Sequence, residues 1–187
     1  DSKAGIYFLN KKNKMSTNNK IPEFDRSNWP ISDEILLELG RIVSLWIDLE
    51  NYIDTALGKL AGFDSISDAI PFILIKHSSF PQKLNMLSAL CHYLLPEYPH
   101  LENYNETISK IKTAQTSRNR YLHNTIIEQD NELKIAAGSA RGKLKTEVTN
   151  ICIDDLKEVS IQINSALRSL HLLITRKTIP PIWEIKK

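Results

Sequence analysis

The sequence predicts an all-α fold, a bundle of four to five helices with a small β-hairpin inserted before the last helix. Apolar residues recur at helical spacing along several long stretches. Only six glycines and eight prolines punctuate the 187 residues, which are rich in Leu, Ile, Lys and Glu. The pattern changes in one region, where short β-branched runs flank the polar residues Gln129-Asp130-Asn131-Glu132.

The first helix is expected from about Ser32 to Leu60. Pro30 and Ser32 mark its start, and Asp33 and Glu34 follow where the helix dipole favours acids. Leu36, Leu39, Ile42, Val43, Trp46, Leu49, Ile53, Ala56 and Leu60 then form one apolar stripe, and Gly62 is the stop signal. A short second helix over Ile66 to Ile75 is interrupted or bent by Pro71, with a buried irregular segment as the alternative. Pro81 suits the first turn of the next helix. That helix carries Leu84, Leu87, Leu90, Cys91 and Leu94 on one face and stops at Pro96. A fourth helix covers roughly 101–123. Thr125–Glu128 and Leu133–Ile135 read as the hairpin, and Lys143–Val148 alternates in a way compatible with a third strand. Gly138 and Gly142 bracket the basic connection between them. The last helix starts near Cys152, with Asp154 and Asp155 in its first turn, and Pro180-Pro181 closes it.

Residues 1–30 include a Lys/Asn/Ser-rich stretch and are expected to be a disordered extension, with Met15 as a candidate start. Residues 31–178 form the helical domain and 179–187 a tail. A formal net charge of +2 gives no general argument for a nucleic-acid partner, so any basic surface has to be local. Cys91 and Cys152 lack metal-ligand spacing and read as free thiols in a reducing cytoplasm. No apolar run is long enough to span a bilayer, so no membrane partner is expected and the address is cytoplasmic. No cofactor motif is present: there is no Ser/His/Asp triad, nucleotide-binding glycine loop or zinc pattern.

The chemistry gathers in Arg118-Asn119-Arg120-Tyr121-Leu122-His123-Asn124. A helical residue advances about 100° around the axis, which centres the fourth helix's buried face about 60° from Arg118. Gln115, Arg118, Asn119 and Leu122 continue the stripe of Leu101, Tyr104, Ile108 and Ile111, with His123 on its flank and Arg120 facing water. An arginine on a core stripe requires a partner, because an unpaired buried charge is prohibitive. Spacing leaves two readings open. One is structural: Arg118 pairs with Asp48, Glu50 or Asp54, and His123 satisfies helix-end carbonyls. The other is a site that binds a phosphate and moves a proton. Arg141, Lys143 and Lys145, with Lys134 nearby, make a local basic patch that reads either as a solvated face or as a weak phosphate-steering surface.

Arg118-Asn119-x-x-x-His123, at the end of the penultimate helix, resembles the Arg–x(4–6)–His signature of the HEPN superfamily (higher eukaryotes and prokaryotes nucleotide-binding domain). The first-helix segment Leu39-Gly40-Arg41-Ile42-Val43-x-Leu45-Trp46-x-x-Leu49-Glu50, the helix start at Lys83-Leu84, the hairpin after the histidine and the start Cys152-Ile153-Asp154-Asp155-Leu156 also look like small bacterial HEPN-like proteins. The resemblance covers about residues 31–178. It implies a helical bundle that forms a homodimer through the motif helix. It also implies a metal-independent endoribonuclease, of a kind often found in toxin–antitoxin or defence systems, where an antitoxin protein is a further partner. The alternative within the family is a non-catalytic RNA- or protein-binding module. Carried to this chain, the resemblance makes Arg118 the phosphate ligand, Asn119 an orienting amide and His123 the proton-transfer group. Arg118 and His123 lie about 140° apart on an ideal helix, which favours a site completed across two paired helices. Some family members carry His-x-Tyr, where the tyrosine is a modification target. This chain reads His123-Asn124-Thr125, so neutralisation by that route is not expected.

Overall fold

The structure, a computed structural model, describes residues 31–63, 69–129, 132–139 and 145–184. The expected extension over residues 1–30 lies outside the described residues. Five α-helices make up most of the described chain: α1 (Asp33–Leu60), α2 (Ala69–His77), α3 (Phe80–Leu94), α4 (Tyr104–Leu122) and α5 (Ile153–Thr175). Between α4 and α5 run β1 (Thr125–Gln129), β2 (Glu132–Ser139) and β3 (Lys145–Asn150).

α1 begins where the sequence places it. Ser32 is extended, and its hydroxyl accepts from the Ile35 N–H at 3.4 Å. At the other end Gly62 takes φ +77°, and the Phe63 N–H returns to the Gly58 carbonyl at 3.0 Å. The buried face is centred on Ile42, Leu45, Leu49 and Ile53. Leu36 and Val43, expected inside, stand on its shoulder at 37% and 41% exposure, while Leu45 and Leu57 are buried in their place. The expected start of the second helix at Ile66 lies outside the described residues; from Ala69 the helix runs through Pro71 to His77 without the interruption that the proline suggests. α3 is capped by Ser79, whose backbone N–H and hydroxyl both reach Gln82 Oε1, at 2.7 and 2.8 Å.

α1 packs on α5 and α3, and α5 packs on α4, around Ile42, Leu49, Ile53, Leu87, Ile111, Leu156, Ile163 and Leu170. A buried charge cluster crosses this frame. Asp54 of α1 lies 2.6 Å from Lys83 Nζ of α3 and 2.8 Å from Lys76 Nζ of α2.

The hairpin is extended into a three-stranded antiparallel sheet of order β1-β2-β3. Gln129 pairs with Glu132 and Ile126 with Ile135, and β3 completes the far side with Thr149 opposite Ile135. Gly138, expected in a connection, is a strand residue opposite Thr146, and Gly142 lies outside the described residues. Ile135, 1% exposed, is the strand residue that joins the hydrophobic core. Thr146, Glu147 and Val148 of β3 are exposed although successive side chains point to opposite faces, so this stretch of the strand meets water on both sides. After α5 the chain folds back on it. The Ile179 carbonyl accepts from Arg168 Nε at 2.8 Å, and the Ile182 N–H reaches Asn164 Oδ1 at 3.4 Å.

Both cysteines are free, but their surroundings differ. Cys91 is fully buried, and burial pushes its thiol pKa up to about 11. Cys152 is exposed ahead of α5. Mass spectrometry after iodoacetamide treatment of the native protein is expected to show one adduct, on Cys152, and a second only in denaturant. Rapid native alkylation of Cys91 would contradict this packing.

Candidate functional site

α4 ends at the motif because its last residues stop propagating the helix. His123 leaves helical geometry at φ −113°, ψ 0°, while its N–H still reaches the Asn119 carbonyl at 3.1 Å. Asn124 Nδ2 donates to the Arg120 carbonyl at 2.8 Å, satisfying a helix-end acceptor. Thr125-Ile126-Ile127, two of them partly buried, then continues as β1.

The buried residues of α4 are Thr107, Ile108, Ile111, Ala114 and Tyr121. Their mean direction lies close to Arg118, so the buried face is rolled by about 60° from the one spacing predicts. Tyr121, unassigned by the sequence pattern, anchors the last turn. Burial, with Asp155 nearby, raises its phenol pKa above the usual value. Gln115, Arg118 and Asn119 are partly buried, as the stripe implies. Arg120 is exposed, also as expected, and its Nη2 donates to Thr149 Oγ1 of β3 at 3.1 Å, tying the motif helix to the sheet.

Arg118 has a partner, but of a different kind from the carboxylate of the structural reading. Among the described residues it makes no ion pair with Asp48, Glu50 or Asp54; Asp54 is held by Lys76 and Lys83. Its guanidinium carbon stands 5.0 Å from the centroid of the Trp46 ring of α1. Trp46 is 3% exposed and itself packs on Phe80, with ring centroids 4.8 Å apart. Arginine over indole is the favourable cation–π pairing, stronger when partly desolvated. The signal was present in the sequence as a tryptophan on the first helix's core stripe. Arg118 Nε is buried with no hydrogen-bond partner among the described residues, which leaves the Nη end to do the polar work.

Arg118 Nη1 lies 2.7 Å from His123 Nε2 and 2.9 Å from Asn119 Oδ1. A guanidinium can only donate, so Nε2 accepts here and the ring proton sits on Nδ1. All three predicted residues therefore meet on one nitrogen. The 140° separation expected on an ideal helix does not keep them apart. His123 has left the helix, and the long arginine side chain covers the remaining distance within a single chain.

The basic patch is only partly described. Arg141 and Lys143 lie outside the described residues; Lys145 opens β3, and its side chain is also outside them. Lys134 is on β2, opposite Ile127 on one side and Asn150 on the other. Among the described residues no three His, Cys, Asp or Glu side chains converge as a metal site, and no helix is long and apolar enough to cross a membrane.

The fold and site thus define a mostly helical bundle with a small antiparallel sheet and an Arg–Asn–His cluster where the fourth helix ends. Comparison with known proteins finds no matching family model, curated protein or solved structure.

Proposed function

We propose that this chain is a HEPN-like endoribonuclease that cleaves RNA through the ribose 2′-hydroxyl without a metal, in a toxin–antitoxin or other defence setting. The observation that carries the reading is the shared contact of Arg118 Nη1 with His123 Nε2 and Asn119 Oδ1. No carboxylate among the described residues neutralises the guanidinium, so its charge remains available to an anion. A phosphate is a charged acceptor and competes well for that N–H. As Arg118 turns to the phosphate it releases the Nε2 lone pair of His123.

His123 then takes the 2′-hydroxyl proton while the O2′–P bond forms and the P–O5′ bond breaks. The proton returns from the imidazolium to the departing O5′. The products carry a 2′,3′-cyclic phosphate and a 5′-hydroxyl. Arg118 holds the phosphate oxygens as charge develops on them, with Trp46 fixing the guanidinium plane. Asn119 orients the guanidinium. Arg141, Lys143 and Lys145 steer the strand.

A homodimer belongs to the same proposal. Leu36, Val43 and Ile47 lie along one edge of α1, on the helix that carries Trp46, and are 37%, 41% and 50% exposed, with Leu37 at 62% beside them. Such an apolar stripe fits a second copy packed next to the motif helix. Light scattering is expected to give twice the chain mass for the wild type and a single chain mass for Ile47→Asp; a monomeric wild type would remove the dimer from the proposal.

The test of the activity is cleavage of a defined RNA in EDTA by wild type, Arg118→Ala and His123→Ala. Cleavage is expected in the wild type alone, with cyclic-phosphate ends.

A further inference from the structure

α5 ends on Arg176, which takes the left-handed conformation at φ 60°, ψ 15° and turns the chain back along the helix it has just left. Arg176 Nη2 lies 2.9 Å from His100 Nδ1, which holds this turn against the segment before α4. The returning tail is fastened twice more, by the Ile179 carbonyl to Arg168 and by the Ile182 N–H to Asn164. The second anchor lies one turn earlier on α5 than the first, so the tail runs antiparallel to the helix. It thereby brings Ile182 and Trp183 beside Lys157, Ser160 and Ile161, near the start of α5.

There the tail, α1 and α5 bound an open cleft of about 520 Å³. α1 contributes Arg41 and Leu45, which lie one turn apart on one face. The wall is apolar, yet three of its large side chains stand partly in water: Ile161 is 48%, Ile182 41% and Trp183 54% exposed. The charged groups on the cleft are both cations, Arg41 and Lys157, and no carboxylate among the described residues lines it. Glu38, 4% exposed, holds the arginine from outside the cleft, with Arg41 Nη1 donating to its two oxygens at 2.6 and 2.8 Å. Arg41 Nε and Nη2 make no hydrogen bond among the described residues, and the side chain is 46% exposed. Lys157 is held only by Asp154, at 3.2 Å, and the Asp154 side chain is 80% exposed and well screened by water. The buried Ser160 Oγ has no hydrogen-bond partner.

We infer that this cleft binds a medium-chain carboxylate, with its head group on Arg41 and Lys157 and its alkyl tail against Ile161, Ile182 and Trp183. The free Nε–Nη2 edge of a guanidinium is a planar pair of donors that matches a carboxylate. Buried Glu38 offsets one of the two cations, so one positive charge faces the apolar wall, and a head group with a single negative charge balances it. Ser160 Oγ has no bond to give up, and one χ1 step offers its proton to the same head group. The tail in turn covers apolar surface that the fold leaves in water. The volume lies in the lower half of the range for small-ligand sites. Arg41 and Leu45 lie about 100–140° around α1 from Trp46, so the cleft opens on a different side from the Arg118–His123 cluster and does not depend on RNA cleavage.

Calorimetric titration of the full chain with hexanoate, octanoate, decanoate and octanol tests the assignment. One molecule per chain is expected, with each two added carbons tightening binding by about 10-fold. Octanol, which has the tail without the charge, is expected to bind at least about 10-fold more weakly than octanoate. Glu38→Gln is the sharper variant, because it removes the carboxylate that competes for Arg41. Its octanoate affinity is expected to rise by about 5-fold or more. Glu38→Gln/Arg41→Gln removes both charges together and strands neither, and is expected to bind octanoate about 10-fold or more weakly than the wild type. Ile161→Glu, at an exposed position, sets a carboxylate in the cleft and should abolish binding while the melting temperature stays with the wild type. No saturable binding by the wild type overturns the inference, as does octanol binding as tightly as octanoate. So does an octanoate affinity unchanged in both Glu38→Gln and the double variant. Several molecules bound per chain in every variant alike would be surface adsorption and would also overturn it.

Discussion

His123→Ala is expected to reduce RNA cleavage by about 10²–10⁴-fold, the range for a positioned general acid–base group. The variant should fold normally, because His123 is exposed and lies outside the last turn of α4. Arg118→Ala is expected to lose about 10²–10³-fold in the chemical step, with weaker RNA binding besides. It also uncovers Trp46, so its melting temperature has to be measured alongside. Arg118→Lys separates charge from geometry. Lysine keeps the charge but lacks the planar fork that stacks on indole and bridges two acceptors, so little activity should return. Full recovery with lysine would reduce Arg118 to a point charge. Equal cleavage by wild type, Arg118→Ala and His123→Ala would falsify the assigned site. An inactive wild type that still binds RNA through Arg118 would instead make the chain a non-catalytic module.

The physical signals that are local were legible in the sequence. The α1 start at Ser32, its stop at Gly62, Pro81 in the first turn of α3 and the acids opening α5 each depend on a few neighbouring residues. Three-dimensional partnerships were less legible. Spacing showed that Arg118 needed a companion and left a carboxylate and a phosphate site both open, whereas Trp46 looked like core and is core; it acts as both core and companion. The Arg118–His123 contact was obscured because an ideal helix was extended one residue too far. One residue leaving helical geometry at position 123 brings the imidazole onto the guanidinium. β3 was visible only as an alternation, since its exposed Thr146 and Val148 place no apolar face inward. The Arg176–His100 contact links positions 76 residues apart, which no periodicity brings together.

Asp54→Ala is expected to be the most destabilising of the charge-removing substitutions in the core, by about 3–5 kcal/mol. Asp54 was visible to spacing only as a candidate for Arg118 and Lys83 only as a helix start, yet the two meet at 2.6 Å with side chains 3% and 11% exposed. Removing the carboxylate strands the Lys83 ammonium between α1 and α3 with little access to water. Lys76, the second cation on Asp54, is 41% exposed and can return to solvent, and it also reaches Asn51 Oδ1 at 3.2 Å. Lys76→Ala should therefore cost no more than about 1 kcal/mol. The ranking is the diagnostic part. Asp54→Ala should lower the melting temperature by roughly 6–20 °C and Lys76→Ala by a few degrees at most. The double variant Asp54→Leu/Lys83→Met should recover most of the loss, because an apolar pair removes both desolvation costs at once. Thermal unfolding of the three proteins decides it. If Asp54→Ala melts with the wild type, the pair is not shielded from water. If the double variant is as unstable as the single one, the loss comes from packing and not from an uncompensated charge.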